Sequence, residues 1–181
     1  MFNKNILIFG AVLFLIVGFL FISEARGKEE LRAHATLINA EGEKVGTVLF
    51  NQEKEGVRIK CRLYNLEPGP HALHIHETAE CDPPDFKSAG GHFNPYGKKH
   101  GFLNPAGPHA GDLPNFEVRK DKTADIEFVT GLVTLKKDKR NSLLKAGGTS
   151  VVMHENPDDY ITDPAGQGGA RIACGIIKEI E

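Results

Sequence analysis

The chain carries eight histidines, and six of them fall between His71 and His109. An isolated histidine is ordinarily a surface or core residue with a satisfied hydrogen bond, and His34, on the polar face of a strand-like segment, is read that way. The clustered histidines are spaced for metal coordination instead. In Leu73-His74-Ile75-His76 the two imidazoles stand two residues apart, so on a strand they share a face and can meet one metal. His71 has the opposite parity on a strand extended back to it and is read as structural rather than as a ligand. His92, His100 and His109 follow in a Gly/Pro-rich stretch, with Asp112 three residues after His109. Three imidazoles and one carboxylate close a tetrahedral zinc site with no open position, a type of site that stabilises a loop. His154 lies far along the chain, just after Val151-Val152-Met153, where a ligand delivered by a separate strand would be found.

Counting ligands sharpens the assignment. His74, His76, His154 and one further imidazole make a four-nitrogen set suited to copper. His92, His100, His109 and Asp112 make the zinc set. Seven residues serve two four-ligand sites only when one imidazole is shared as a bridging histidinate. The competing chemistry for His-x-His, a zinc hydrolase, needs an open zinc position and a positioned base. The three-histidine, one-aspartate set is complete and no HExxH occurs, so the hydrolase is the weaker expectation.

The elements that must position these residues are strands. In Leu31–Leu37, apolar Leu31, Ala33, Ala35 and Leu37 alternate with Arg32, His34 and Thr36. In Val57–Tyr64 the same alternation recurs, and a period of two marks half-buried strands. Lys44–Phe50 lies between them with turn residues on either side, giving a three-strand meander. From Glu77 to Asn115 no periodicity survives, and a structureless stretch of that length in a compact domain is usually functional. Strand character returns at Phe116–Arg119, Asp125–Thr134, Ser150–Met153 and Ala170–Ile177. The expectation is an all-β sandwich or barrel with two long functional loops.

The bulk properties bound the rest. Lys4 precedes an uncharged run from Ile6 to Ile22, and Ser23-Glu24-Ala25 has the small-x-small pattern of a cleavage site. Residues 1–25 are therefore expected to be a signal peptide, with an uncleaved membrane anchor as the alternative, because 17 residues sit at the lower edge of a bilayer span. Residues 26–181 form the working domain, outside the cytoplasm. The net charge of −2 carries no nucleic-acid footprint. Of the three cysteines, Cys61 falls on the inward face of its strand and is read as a core residue. The exposed strand faces carry no apolar patch that decides between a monomer and a homodimer.

Several segments together carry a family resemblance. Gly69-Pro70-His71-Ala72-Leu73-His74-Ile75-His76-Glu77 resembles the copper-binding segment of the copper–zinc superoxide dismutases, in their bacterial exported form. Gly90-Gly91-His92-Phe93-Asn94-Pro95, then His100, then His109-Ala110-Gly111-Asp112-Leu113, is similar to that family's bridging and zinc-binding loop. Val151-Val152-Met153-His154-Glu155 resembles the strand that delivers the last copper ligand, and Gly168–Gly175 resembles the C-terminal signature. The match spans nearly all of the chain after residue 30, with the motifs in the family's order.

The resemblance implies an eight-stranded Greek-key β-sandwich or barrel, immunoglobulin-like, bearing two loops. It assigns His74, His76, His92 and His154 to copper, and His92, His100, His109 and Asp112 to zinc, with His92 as the bridge. Asp158 matches an aspartate that binds no metal itself and hydrogen-bonds a histidine of each set. Cys81 and Cys174 match a disulfide that ties the loop to the barrel. Arg171 matches an arginine that lines the copper channel and holds the superoxide anion. The implied activity is dismutation of superoxide to oxygen and hydrogen peroxide, with His92 leaving copper to take up a proton and returning it. The alternative, a dismutase-like copper and zinc binder with poor turnover, would be marked by a missing copper ligand or channel arginine, and neither is missing. One departure stands out. The loop from Asn156 to Gly169 holds Asp158, Asp159 and Asp163 but no Lys or Arg, where better-known members place lysines, leaving Lys87, Lys98 and Lys99 of the other loop as candidates to guide substrate.

Overall fold

A computed structural model describes residues 30–181, so the Ile6–Ile22 run and the boundary after residue 25 lie outside the described residues. Ten short strands and a single 3-10 turn (Lys87–Ala89) account for the regular structure, and no α-helix occurs among the described residues. The opening meander forms as the alternation predicts. β1 (Arg32–Ile38), β2 (Lys44–Gln52) and β3 (Val57–Leu63) pair antiparallel in sequence order. Ala33, Ala35 and Leu37 of β1 and Val57, Ile59, Cys61 and Leu63 of β3 face the core. Burial pushes the Cys61 thiol up to about 12, so it stays protonated and inert, as its inward position suggested.

The remaining strands are β4 (Gly69–His71), β5 (Leu73–His76), β6 (Phe116–Val118), β7 (Ala124–Thr130), β8 (Ser150–His154), β9 (Arg171–Ile176) and β10 (Lys178–Glu179). Only Ala72 separates β4 from β5 and only Ile177 separates β9 from β10, so the ten trace eight strand lines. The main sheet runs β5-β8-β9-β1-β2-β3-β7, with β10 also on β1, and β4 pairs with β6. The chain thus leaves β7 at one edge and returns as β8 between β5 and β9, the long crossover of a Greek key.

One strand ends earlier than its sequence pattern suggests. The strand character of Asp125–Thr134 predicts a strand to Thr134, yet β7 stops at Thr130. Val133 and Leu135 remain in the core, but on the opposite parity to Ile126 and Phe128, so the inward face changes between Thr130 and Val133 and the ladder ends there. The Gln52 side-chain oxygen takes over the pairing, accepting from Thr134 Oγ1 at 2.6 Å and from the Leu135 N–H at 2.8 Å.

β8 explains its own unbroken apolar sequence. Every one of its five residues is buried. Val151 and Met153 join the barrel core, while Val152 faces outward into a second cluster with Phe86, Ala89 and Cys174. That second cluster is the underside of the loop after β5, which the Cys81–Cys174 disulfide fastens to β9.

The long irregular stretch is registered against β5 by backbone bonds. The Ile75 N–H donates to Gly111 O at 2.8 Å, Phe93 N–H to Ile75 O at 2.8 Å, and Gly111 N–H to Phe93 O at 2.8 Å. Phe93, Ala110 and Leu113 are buried in the barrel core and anchor the same stretch from below. At Gly111 a Cβ would drive into the Ile75 carbonyl and the Phe93 N–H, so the close approach requires glycine. Gly111→Ala is expected to lower the unfolding free energy of the metal-free protein by about 1–3 kcal/mol through this overpacking. A denaturant titration with an unchanged midpoint would contradict the close-approach account.

Candidate metal centre

The site is built around the Asp112 carboxylate, which is fully buried. Its Oδ2 accepts the backbone N–H groups of Gly101 and His109, each at 2.9 Å. Its Oδ1 is thereby aimed at three imidazoles: His92 Nδ1 at 2.9 Å, His100 Nδ1 at 3.1 Å and His109 Nδ1 at 3.3 Å. Burial by itself would raise this carboxyl, but the imidazole and amide partners outweigh it and hold Asp112 well below the usual carboxylate range. One ligand atom from each of His92, His100, His109 and Asp112 lies within 4.8 Å of all the others. A fixed carboxylate among converging ring nitrogens is a donor set that suits a divalent cation such as zinc.

A second group converges on the other side of His92. Ligand atoms of His74, His92 and His154 lie within 4.8 Å of one another, and the His76 ring sits with its centroid 5.0 Å from that of His92 and 5.6 Å from that of His154. His74 Nδ1, His76 Nε2, His92 Nε2 and both ring nitrogens of His154 are buried without a hydrogen-bond partner. Buried polar atoms are otherwise almost always paired, so a knot of such nitrogens fits a metal with imidazole preference. Burial lowers His76 well below the ordinary imidazole value, takes His154 down to about 3 and takes His92 down to about 4 despite its bond to Asp112. The rings are thus neutral, with lone pairs to offer.

On His74 and His76 the opposite ring nitrogen fixes which lone pair is offered. His74 Nε2 meets Asp158 Oδ2 at 2.8 Å, and His76 Nδ1 donates to the Gly90 carbonyl at 3.0 Å. Asp158 Oδ1 meets His100 Nε2 at 2.9 Å, so one buried carboxylate joins an imidazole of each group, as the resemblance implied. Burial would lower His100, but Asp112 and Asp158 on its two nitrogens raise it to about 9. On His92, Nδ1 meets Asp112 Oδ1 and Nε2 has no hydrogen-bond partner, and the ring belongs both to the Asp112 group and to the group of His74 and His154. His71 lies outside both groups. Its ring nitrogens meet the carbonyls of His154 at 3.0 Å and Glu67 at 2.8 Å, a structural part in keeping with its parity.

Arg171 opens into the same cleft as His76, His92 and His154. Its guanidinium donates to Phe86 O and Gly90 O, each at 2.7 Å. The Gly90 carbonyl therefore holds both Arg171 and His76, a link that no side-chain pattern reveals. Of the lysines considered for substrate guidance, Lys99 is paired with Asp163 at 2.7 Å and Lys87 with Asp85 at 2.6 Å. Lys98 has no ion pair among the described residues.

Known proteins resemble this chain in sequence and fold. The profile of the copper/zinc superoxide dismutase family matches residues 44–177. Superoxide dismutase [Cu-Zn] 1 of Aquifex aeolicus is 54% identical over 151 residues, spanning 83% of this chain and 89% of the relative. The superoxide dismutase-like protein YojM of Bacillus subtilis is 44% identical over 146 residues, 80% of this chain and 74% of the relative. Among solved structures, the copper/zinc superoxide dismutase from Brucella abortus superposes with a TM-score of 0.66 at 30% identity, covering 81% of this chain and 99% of its own. With its strand order, its two converging imidazole groups and these matches, the chain belongs to the copper/zinc superoxide dismutase family.

Proposed function

We propose that the protein dismutes superoxide at a copper bound by His74, His76, His92 and His154, with a zinc bound by His92, His100, His109 and Asp112. The observation that carries this reading is His92, a single buried ring that belongs to two different ligand groups. Bound there, copper would supply one-electron chemistry and zinc a fixed positive charge. The chain's own residues relay a proton from solvent and supply the geometry. His92 Nε2 accepts a proton in one half of the cycle and gives it back in the other, while its Nδ1 stays anchored in the Asp112 group and so keeps the ring in place. Arg171 orients the superoxide anion by charge-assisted hydrogen bonding, having carbonyl rather than carboxylate partners to cancel its charge. Asp158 keeps His74 and His100 in fixed orientation.

Superoxide decay by the copper- and zinc-loaded protein tests the reading, with His154→Ala as the control. Catalysis well above that of free copper is expected, and it is expected to vanish in the control. Stoichiometric binding of both metals without catalysis would sink it. For Arg171→Ala, kcat/KM is expected to fall by at least about tenfold at low ionic strength, with a partial return in Arg171→Lys. A rate indifferent to this position would remove Arg171 from substrate capture.

The Cys81–Cys174 disulfide belongs to an oxidising compartment, in keeping with a protein that works outside the cytoplasm. Residues 1–25 are its export signal in this reading, removed rather than kept as an anchor. The intact mass of the protein recovered from its native host is expected to lack them, and a full-length mass in the membrane fraction would favour the anchor.

A further inference from the structure

Asp158 is held by more than the two imidazoles it joins. Its backbone N–H donates to Asn115 Oδ1 at 2.8 Å, and its backbone carbonyl accepts from Asn115 Nδ2 at 2.8 Å. The Asn115 backbone N–H donates in turn to the Tyr160 hydroxyl at 2.6 Å. The Tyr160 backbone N–H donates to Asp158 Oδ1 at 2.6 Å, the same oxygen that meets His100. Asp158, Asn115 and Tyr160 thus close a ring of hydrogen bonds outside both ligand groups.

The backbone at Tyr160 is one that a bulky residue adopts only under constraint. Its φ of 63° is left-handed, which costs a non-glycine residue about 1–2 kcal/mol. Such conformations persist where the surroundings over-determine them, and they concentrate at functional sites. Here the surroundings are the residues that follow His100. The Tyr160 carbonyl accepts the Leu103 N–H at 3.0 Å, Gly101 packs against that carbonyl with no room for a side chain, and the Phe102 ring stands edge-on to the Tyr160 ring at 5.6 Å. Asn115 sits immediately before β6, so the ring ties the Asp158 loop to the barrel as well as to the His100 loop.

We propose that Tyr160 and Asn115 are positioning residues that lock the Asp158 carboxylate between His74 and His100, so that the copper-side and zinc-side imidazoles are set by one latch. The inference rests on the ligand assignment proposed above. Removing only the Tyr160 hydroxyl leaves the Asn115 N–H without its acceptor and frees the Asp158 turn, and the carboxylate then loses its aim at both rings together.

The test compares Tyr160→Phe, Asp158→Asn and His100→Ala in the copper- and zinc-loaded protein. Zinc affinity is measured by competition with a chelator, and the Cu(II) electron paramagnetic resonance spectrum serves as a second readout that does not depend on turnover. Tyr160→Phe is expected to weaken zinc binding about tenfold, the low end for an outer-sphere partner. It should also shift the Cu(II) spectrum in the same direction as Asp158→Asn, and add little to Asp158→Asn in the double variant. Zinc affinity and spectrum unchanged in Tyr160→Phe, with zinc lost in His100→Ala, would overturn the latch and leave the ligand assignment standing. Zinc retained in His100→Ala would overturn the ligand assignment and the latch with it. A Tyr160→Phe variant altered only in the melting temperature of its metal-free form would reduce Tyr160 to packing and also overturn the latch.

Discussion

The metal-binding half of this protein depends on a buried anion. Asp112 is inaccessible to solvent, and an isolated carboxylate in that position would be too costly to keep ionised. It is held ionised because two backbone N–H groups grip one oxygen and three imidazoles surround the other. Those five partners come from positions spread between His92 and Asp112, in a stretch that contains no strand of its own. The carboxylate is therefore the point on which the stretch closes. The core contacts of Phe93, Ala110 and Leu113 and the backbone bonds to Ile75 hold the stretch down on the barrel. Asp112 decides how its polar side chains face one another.

A second layer of carboxylates joins this loop to the one after β8. Asp158 spans His74 and His100, while Asp163 accepts the His100 backbone N–H at 2.9 Å and the Lys99 ammonium at 2.7 Å. This accounts for the acidic character of the later loop. Asp158 and Asp163 face the neighbouring loop, and Asp159 accepts the Ile161 and Thr162 N–H groups of its own turn. The same pairing commits Lys99 to structure and removes it from any part in attracting an anion. A loop without lysines is in this sense a loop whose charges are directed at assembly of the site.

How much of this was legible in the sequence follows from the range of each interaction. The alternation in β1 and β3 is a local record of one buried face, and those strands form where the pattern places them. His74 and His76 are legible for the same reason, since two residues along a strand return to one face. The strand character of Asp125–Thr134 misleads in its last residues, because the buried side chain of Val133 needs no ladder when the Gln52 side chain supplies the hydrogen bonds. The family resemblance carried Asp158, Arg171 and the Cys81–Cys174 pair. Nothing local marks Asn115, Tyr160 or the Gly90 carbonyl, because each of their bonds joins a side chain to a backbone group distant in sequence. The commitment of Lys99 to Asp163 was illegible for the same cause, at a sequence separation of 64.

The disulfide acquires a functional meaning from the same bonds. Arg171 is held by the carbonyls of Phe86 and Gly90, both in the loop that Cys81 fastens to Cys174. Phe86 is fully buried against Val152 and Cys174, so the loop is fixed by packing on one side and by a covalent bond on the other. Carbonyl oxygens orient a guanidinium without neutralising it, and the neighbouring Asp85 is itself paired with Lys87 at 2.6 Å. Arg171 therefore keeps its full charge at the mouth of a cleft lined by His76, His92 and His154, in a chain whose net charge is −2. In the proposed function a small anion would be drawn there by a local field against the sign of the whole molecule. Without the clamped loop the carbonyls would disperse, and the guanidinium would lose the fixed orientation on which that proposal depends.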